Sequence, residues 1–102
     1  MNSAAYNTSK HAIVGLTRCI ALENAKNGIN INAICPGIVE TDLIKGVEQR
    51  MEAQGMPPDE FRERILAQIP MGRFLQPEEI AHIAVFLASS ESDGMNGEAI
   101  AI

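Results

Sequence analysis

An α/β layer fold is what this sequence predicts, and three observations carry that expectation. Two short runs have strand character, residues 29–35 (Ile-Asn-Ile-Asn-Ala-Ile-Cys) and 98–102 (Glu-Ala-Ile-Ala-Ile). Each follows a helical pattern, over residues 4–26 and 77–88. The first run stops at Pro36-Gly37, leaving backbone exposed at the carboxyl end of a strand, where open α/β sheets bind ligands. The order helix, strand, helical excursion, helix, strand is half of an α/β layer arrangement.

Over residues 4–26, Ile13, Leu16 and Ile20 form one apolar stripe, widened by Ala12, Cys19 and Leu22, while Val14 and Ala21 add apolar surface on other sides. A helix this apolar around its circumference packs against more than one neighbour, a sheet and either a second helix or a partner subunit. Asn27-Gly28 supplies the stop, with Gly28 suited to the left-handed position past a helix end. The run 29–35 alternates at its start and is continuously apolar at its end, as a parallel strand covered on both faces would be. From 38 to 72 there is no strand signal, only helical candidates at 43–54 and 58–69 around Gly55-Met56-Pro57-Pro58, closed by Pro70-Met71-Gly72. An excursion of that length after a strand end reads as a functional lid. Its charges (Lys45, Glu48, Arg50, Glu52, Glu60, Arg62, Glu63, Arg64) read as solvated faces, and Met51, Met56 and Met71 as either an adaptable pocket lining or gap-fillers in a core. Pro77, Glu78 and Glu79 make a good helix start, with proline in the first turn and acids at the positive end of the dipole.

Composition narrows the function classes. The 102 residues suffice for one small domain, and 46% hydrophobic with 21% charged residues is a core-forming balance. Thirteen acids against eight bases give a net charge of −5 with no basic run, which argues against a nucleic-acid surface. No apolar run approaches the roughly 20 residues that span a bilayer, and Met1-Asn2-Ser3 lacks signal-peptide character, so a cytoplasmic protein without a membrane partner is expected. Cys19 and Cys35 sit in apolar company outside any C-x-x-C pair and read as buried free thiols. His11 and His82 have no metal-ligand spacing and read as surface or half-buried histidines, with no metal site expected.

Chemistry is concentrated in Tyr6-Asn7-Thr8-Ser9-Lys10, which sets a phenol and an ammonium four residues apart on one helix face. An ammonium held near a phenol favours the phenolate and lowers the tyrosine pKa from its reference of about 10, making Tyr6 a usable general acid or base. Taken alone, the pair also fits an ordinary helix surface.

With Tyr6 and Lys10, Pro36-Gly37, Thr41 and the later pieces in fixed order, the chain closely resembles the C-terminal part of a short-chain dehydrogenase/reductase. The matching blocks are YNTSKHAIVGLTR, INAICPGIVETDL, GRFLQPEEIAHIAVFLAS and MNGEAIAI, and the resemblance runs from Ser3 to Ile102. It implies a Rossmann-type doubly wound parallel sheet, with residues 1–102 as part of that domain and 43–72 as its substrate-loop region. It also implies an oxidoreductase that moves hydride between NAD or NADP and a secondary alcohol or ketone. By the same resemblance Tyr6 is the catalytic acid/base, and Lys10 hydrogen-bonds the nicotinamide ribose and activates Tyr6. Pro36, Gly37 and the backbone near Val39 form the turn against the nicotinamide, and Thr41 hydrogen-bonds its carboxamide or a nearby phosphate. The helix over 4–26 resembles one half of the family's four-helix dimer interface, which implies a homo-oligomer for full-length relatives.

The departures are equally definite. The eight glycines form no G-x-x-x-G-x-G or G-x-G-x-x-G after a strand, so nothing here cradles a pyrophosphate. The residue that would select NAD or NADP is absent, and so is the serine that the family places about a dozen residues before the tyrosine; Ser3 is three positions away. The chain stops at Ile102, where the family continues with an aspartate and paired glycines. The expectation is therefore a fragment of a protein roughly two to three times longer, and by itself inactive. The alternative function is a catalytically incompetent fragment or interaction module. The excursion's mixed charges with Phe61 permit a sugar alcohol, a hydroxy acid or a small cyclic alcohol as substrate.

Overall fold

The computed structural model describes residues 3–102. In chain order its elements are α1 (Ala4–Asn24), β1 (Ala33–Cys35), α2 (Asp42–Ala53), α3 (Pro58–Leu66), α4 (Pro77–Leu87) and β2 (Ala99–Ala101). β1 and β2 pair in parallel, with Ala33 opposite Ala99, Ile34 opposite Ile100 and Cys35 opposite Ala101. The α/β class and the element order expected from the sequence are those observed. Two compact units result, one of residues up to Pro36 together with Ala81–Ile102, the other Gly37–Ile80.

In the first unit, α1 passes into a 3₁₀ turn over Ala25–Asn27 and stops at Gly28, which adopts φ 71° and ψ 24° and donates its N–H to the Ala25 carbonyl at 3.0 Å. That is the left-handed stop expected of Gly28. β1, however, covers three residues where the sequence predicted a strand of about six within 29–35. The difference lies in the asparagines. Asn30 Nδ2 donates to the Asp93 carbonyl, Asn32 Nδ2 donates to the Met95 carbonyl, and Asn32 Oδ1 accepts the Glu98 amide at 3.0 Å. From the other side, Asn96 Oδ1 accepts the Ile31 amide at 2.8 Å. Side-chain amides thus interleave with a single backbone bond over residues 30–32, from the Gly97 amide to the Ile31 carbonyl at 2.8 Å, and a regular ladder forms only from Ala33 onward.

Within this chain the apolar stripe of α1 is only partly covered. Thr17 and Ala21 are its buried residues, whereas Ile13 and Leu16 are more than half exposed and Leu22 is 81% exposed. The reason is close approach. An added Cβ at Gly97 would lie 3.4 Å from the Ala21 side chain, and Asn96 Nδ2 donates to the Ala21 carbonyl, so the loop before β2 sits on the helix where its side chains are small. Cys19 lies off this face and is exposed, and Cys35 is half-buried; both are free thiols, but neither is buried as expected.

In the second unit, α2 packs against α3, and Phe61, Phe74 and Leu75 are buried. The sequence showed no strand between 38 and 72, yet Val39 forms a parallel bridge with Leu75: the Leu75 amide donates to the Ile38 carbonyl at 2.9 Å, and the Glu40 amide donates to the Leu75 carbonyl at 2.8 Å. α2 starts and ends within a residue of expectation. α3 stops three residues early, because Gln68 and Ile69 donate to carbonyls only three residues back and Pro70 follows. The acids at the start of α4 do more than meet the dipole. Glu79 accepts the amide of Gln76, the residue before the helix, and receives a two-pronged contact from Arg73 at 2.7 and 2.8 Å.

Candidate functional site

Tyr6 and Lys10 are placed by α1. At 100° per residue they share a face with Thr17 and Ala21, so the helix face buried further along the chain continues into this pair. At the pair itself the face is open, with Tyr6 63% exposed. The Lys10 ammonium lies 5.4 Å from the centroid of the Tyr6 ring, a cation–π contact. The surrounding hydrogen bonds are local and leave the two polar heads alone: Ser9 Oγ donates to the Tyr6 carbonyl, and His11 Nδ1 is 2.8 Å from the Asn7 carbonyl. Among the described residues the chain forms no salt bridge to Lys10, so phenol and ammonium both face outward with their bonding capacity uncommitted.

Pro36 closes the first unit, exposed immediately after β1, and Gly37 opens the second, also exposed. Val39 is fixed by its bridge to Leu75. Thr41 occupies the cap position before α2 with extended backbone (φ −136°, ψ 168°), but its hydroxyl donates to the Val39 carbonyl at 3.4 Å instead of capping the helix amides. Four of the six predicted site residues therefore fall into two local pairs, Tyr6 with Lys10 and Val39 with Thr41, and Pro36-Gly37 forms the exposed turn after the strand.

A charged cluster that sequence reading treated as solvated surface stands beside Thr41. Arg62 donates from Nη2 to Glu40 Oε2 at 2.6 Å and from Nη1 to Glu40 Oε1 at 3.1 Å, and from Nη1 to Glu48 Oε1 at 2.6 Å. Its guanidinium lies 4.8 Å from the Phe74 ring centroid. The three side chains are only 34%, 25% and 15% exposed for Arg62, Glu40 and Glu48. The Arg62 hydrogen bonds, and after them its charge and that of Lys45, hold the Glu40 carboxyl below the ordinary carboxylate range against partial desolvation. A sequence signal existed only as a register, Glu40 and Glu48 each needing a long cation, with five candidates in the excursion and its borders: Lys45, Arg50, Arg62, Arg64 and Arg73. Next to the cluster is an open groove of about 370 Å³ lined in part by Arg62, Leu66, Arg73 and Phe74, and its two guanidiniums are both matched by carboxylates. Among the described residues no group of three or more His, Cys, Asp or Glu is arranged to hold a metal ion, and no helix is long and apolar enough to cross a membrane.

Comparison with known proteins agrees over the whole chain. A family model described as Enoyl-(Acyl carrier protein) reductase matches residues 1–102. The chain is 44% identical over 96 residues to the D-beta-hydroxybutyrate dehydrogenase of Cupriavidus necator, covering 92% of this chain and 37% of that protein. Among solved structures, a short chain dehydrogenase family protein from Francisella tularensis matches with a TM-score of 0.93 at 40% identity, covering 99% of this chain and 42% of that one. The actinorhodin polyketide ketoreductase solved with NADPH matches with a TM-score of 0.91 at 34% identity, covering 100% of this chain and 40% of that one. The chain thus spans about two fifths of the length of the relatives it matches. With helices and parallel strands superimposing on those structures and the family model covering every residue, the chain belongs to the short-chain dehydrogenase/reductase family of Rossmann-type oxidoreductases.

Proposed function

We propose that this chain supplies the acid/base and nicotinamide-contacting part of an NAD- or NADP-dependent enzyme that interconverts a secondary alcohol and a ketone. The observation that carries the reading is the Tyr6–Lys10 pair, a phenol and an unpaired ammonium on one open helix face in a chain of this family. The donor set suits a nicotinamide riboside: Lys10 offers three N–H donors to ribose hydroxyls, the exposed Pro36-Gly37 turn lets a planar ring approach backbone, and Thr41 offers a hydroxyl. The coenzyme, when bound, supplies or removes the hydride. Tyr6 donates its Oη proton to the carbonyl oxygen as negative charge develops there, and takes a proton from the alcohol in the reverse direction. Lys10 stabilises the negative charge left on the Tyr6 oxygen and orients the ribose. The α2–α3 segment, residues 43–72, covers the substrate, and the enzyme is a cytoplasmic homo-oligomer.

Lys10→Ala in the full-length enzyme tests the reading. NADH and NADPH titrations followed by coenzyme fluorescence should show saturable binding in the parent and a Kd raised at least about tenfold in the variant, the equivalent of ~1.4 kcal/mol. Unchanged binding would remove Lys10 from the site. A second reading, residues 1–102 acting alone as a catalytically incompetent interaction module, is favoured by the lack of a glycine-rich phosphate turn and by the exposed Ile13, Leu16 and Leu22 on α1. The coding sequence upstream of and in frame with Met1 separates the two: a glycine-rich strand-turn-helix encoded there supports the enzyme, and a stop codon directly before Met1 supports the module.

A further inference from the structure

We infer that Arg62 is a positioning residue, holding the strand-end segment 38–41 to the α2–α3 segment through Glu40 and Glu48 and so fixing the Val39 and Thr41 groups at the nicotinamide. The inference rests on the reading above and adds to it a residue outside the contacting set. Each link lies within the second unit. Glu40 sits between Val39 and Thr41, and its amide completes the bridge to Leu75. Its carboxylate takes both prongs of the Arg62 fork from α3, while the shared Nη1 also reaches Glu48 on α2. The guanidinium plane rests on Phe74, which is 4% exposed and adjoins Leu75. One side chain therefore ties together the segment after β1, both excursion helices and the return to α4.

The geometry demands arginine. A planar fork can serve two carboxylates while stacking on an aromatic face, whereas the point charge of lysine cannot meet all three at once. Removing Arg62 also leaves two partly buried carboxylates facing each other without their cation, so segment 38–41 should move outward instead of merely losing a contact. Because Arg62 acts through Glu40 on the segment that carries Val39 and Thr41, and not on the acid/base, its loss should fall on coenzyme KM and spare kcat.

The test is Arg62→Ala and Arg62→Lys in the full-length enzyme, with three readouts. Amide exchange at Glu40 and Leu75 reports the clasp without any coenzyme. Steady-state kinetics reports the coenzyme KM against kcat. Added guanidinium ion reports whether the missing group itself is what matters. The expected result is faster exchange at both amides, a coenzyme KM raised about tenfold or more with kcat within about threefold, partial recovery in Arg62→Lys and recovery in Arg62→Ala on adding guanidinium. Faster exchange with an unchanged coenzyme KM would overturn the inference and leave the proposed function standing, as would unchanged exchange. A parent enzyme that binds no nicotinamide coenzyme would overturn the proposed function and the inference together.

Discussion

Gly97 shows how one residue sets where a helix is covered. Its φ of 77° is in the left-handed region, and it brings the loop before β2 against Ala21 and the backbone of Arg18. A side chain there carries the cost of that backbone conformation, while its Cβ would meet Ala21 at 3.4 Å, an ordinary contact distance. Gly97→Ala in the full-length enzyme should therefore lower stability by about 1–3 kcal/mol, read as an earlier urea midpoint with an unchanged slope. An unshifted midpoint would mean that the left-handed conformation at position 97 relaxes without cost. The small residue at position 21 also sets where α1 is covered within this chain: where Gly97 can come close, not where its side chains are largest.

Among elements, helices were legible and strands only in part. α1, α2 and α4 start where sequence signals place them, because proline, acids and apolar spacing are local features. The run 29–35 was read as one strand because an alternating Ile-Asn pattern looks the same whether ladder bonds or side-chain amides pair it. The Asn30, Asn32 and Asn96 contacts connect residues more than sixty positions apart, and no local pattern announces them. They matter to the fold's layer because they align β1 with β2. Asn32→Ala removes one donor and one acceptor at once and should cost ~1–3 kcal/mol in the full-length enzyme, seen by urea unfolding together with faster exchange of the Glu98 amide. Equal exchange in parent and variant would show that the ladder from Ala33 aligns the strands unaided. The Arg62 cluster was hidden for the same reason, since its partners come from three separate segments and each charge alone looks solvated.

For the molecule as a whole, the proposed site residues stand as an ordered set in the sequence: the tyrosine–lysine spacing, the proline-glycine stop and the threonine, all within the span that the family model matches. What order could not supply is how open the Tyr6 face is and that Arg62 pairs with Glu40 and Glu48, both of which depend on packing. The central claim is that Tyr6 performs the proton transfer of the proposed oxidoreduction. Tyr6→Phe in the full-length enzyme keeps the ring that Lys10 contacts and deletes the one hydroxyl the claim requires. The measurement is kcat together with coenzyme Kd by fluorescence titration. The account predicts kcat reduced by about 10²–10⁴-fold with Kd within a few fold of the parent; turnover close to the parent's would contradict it.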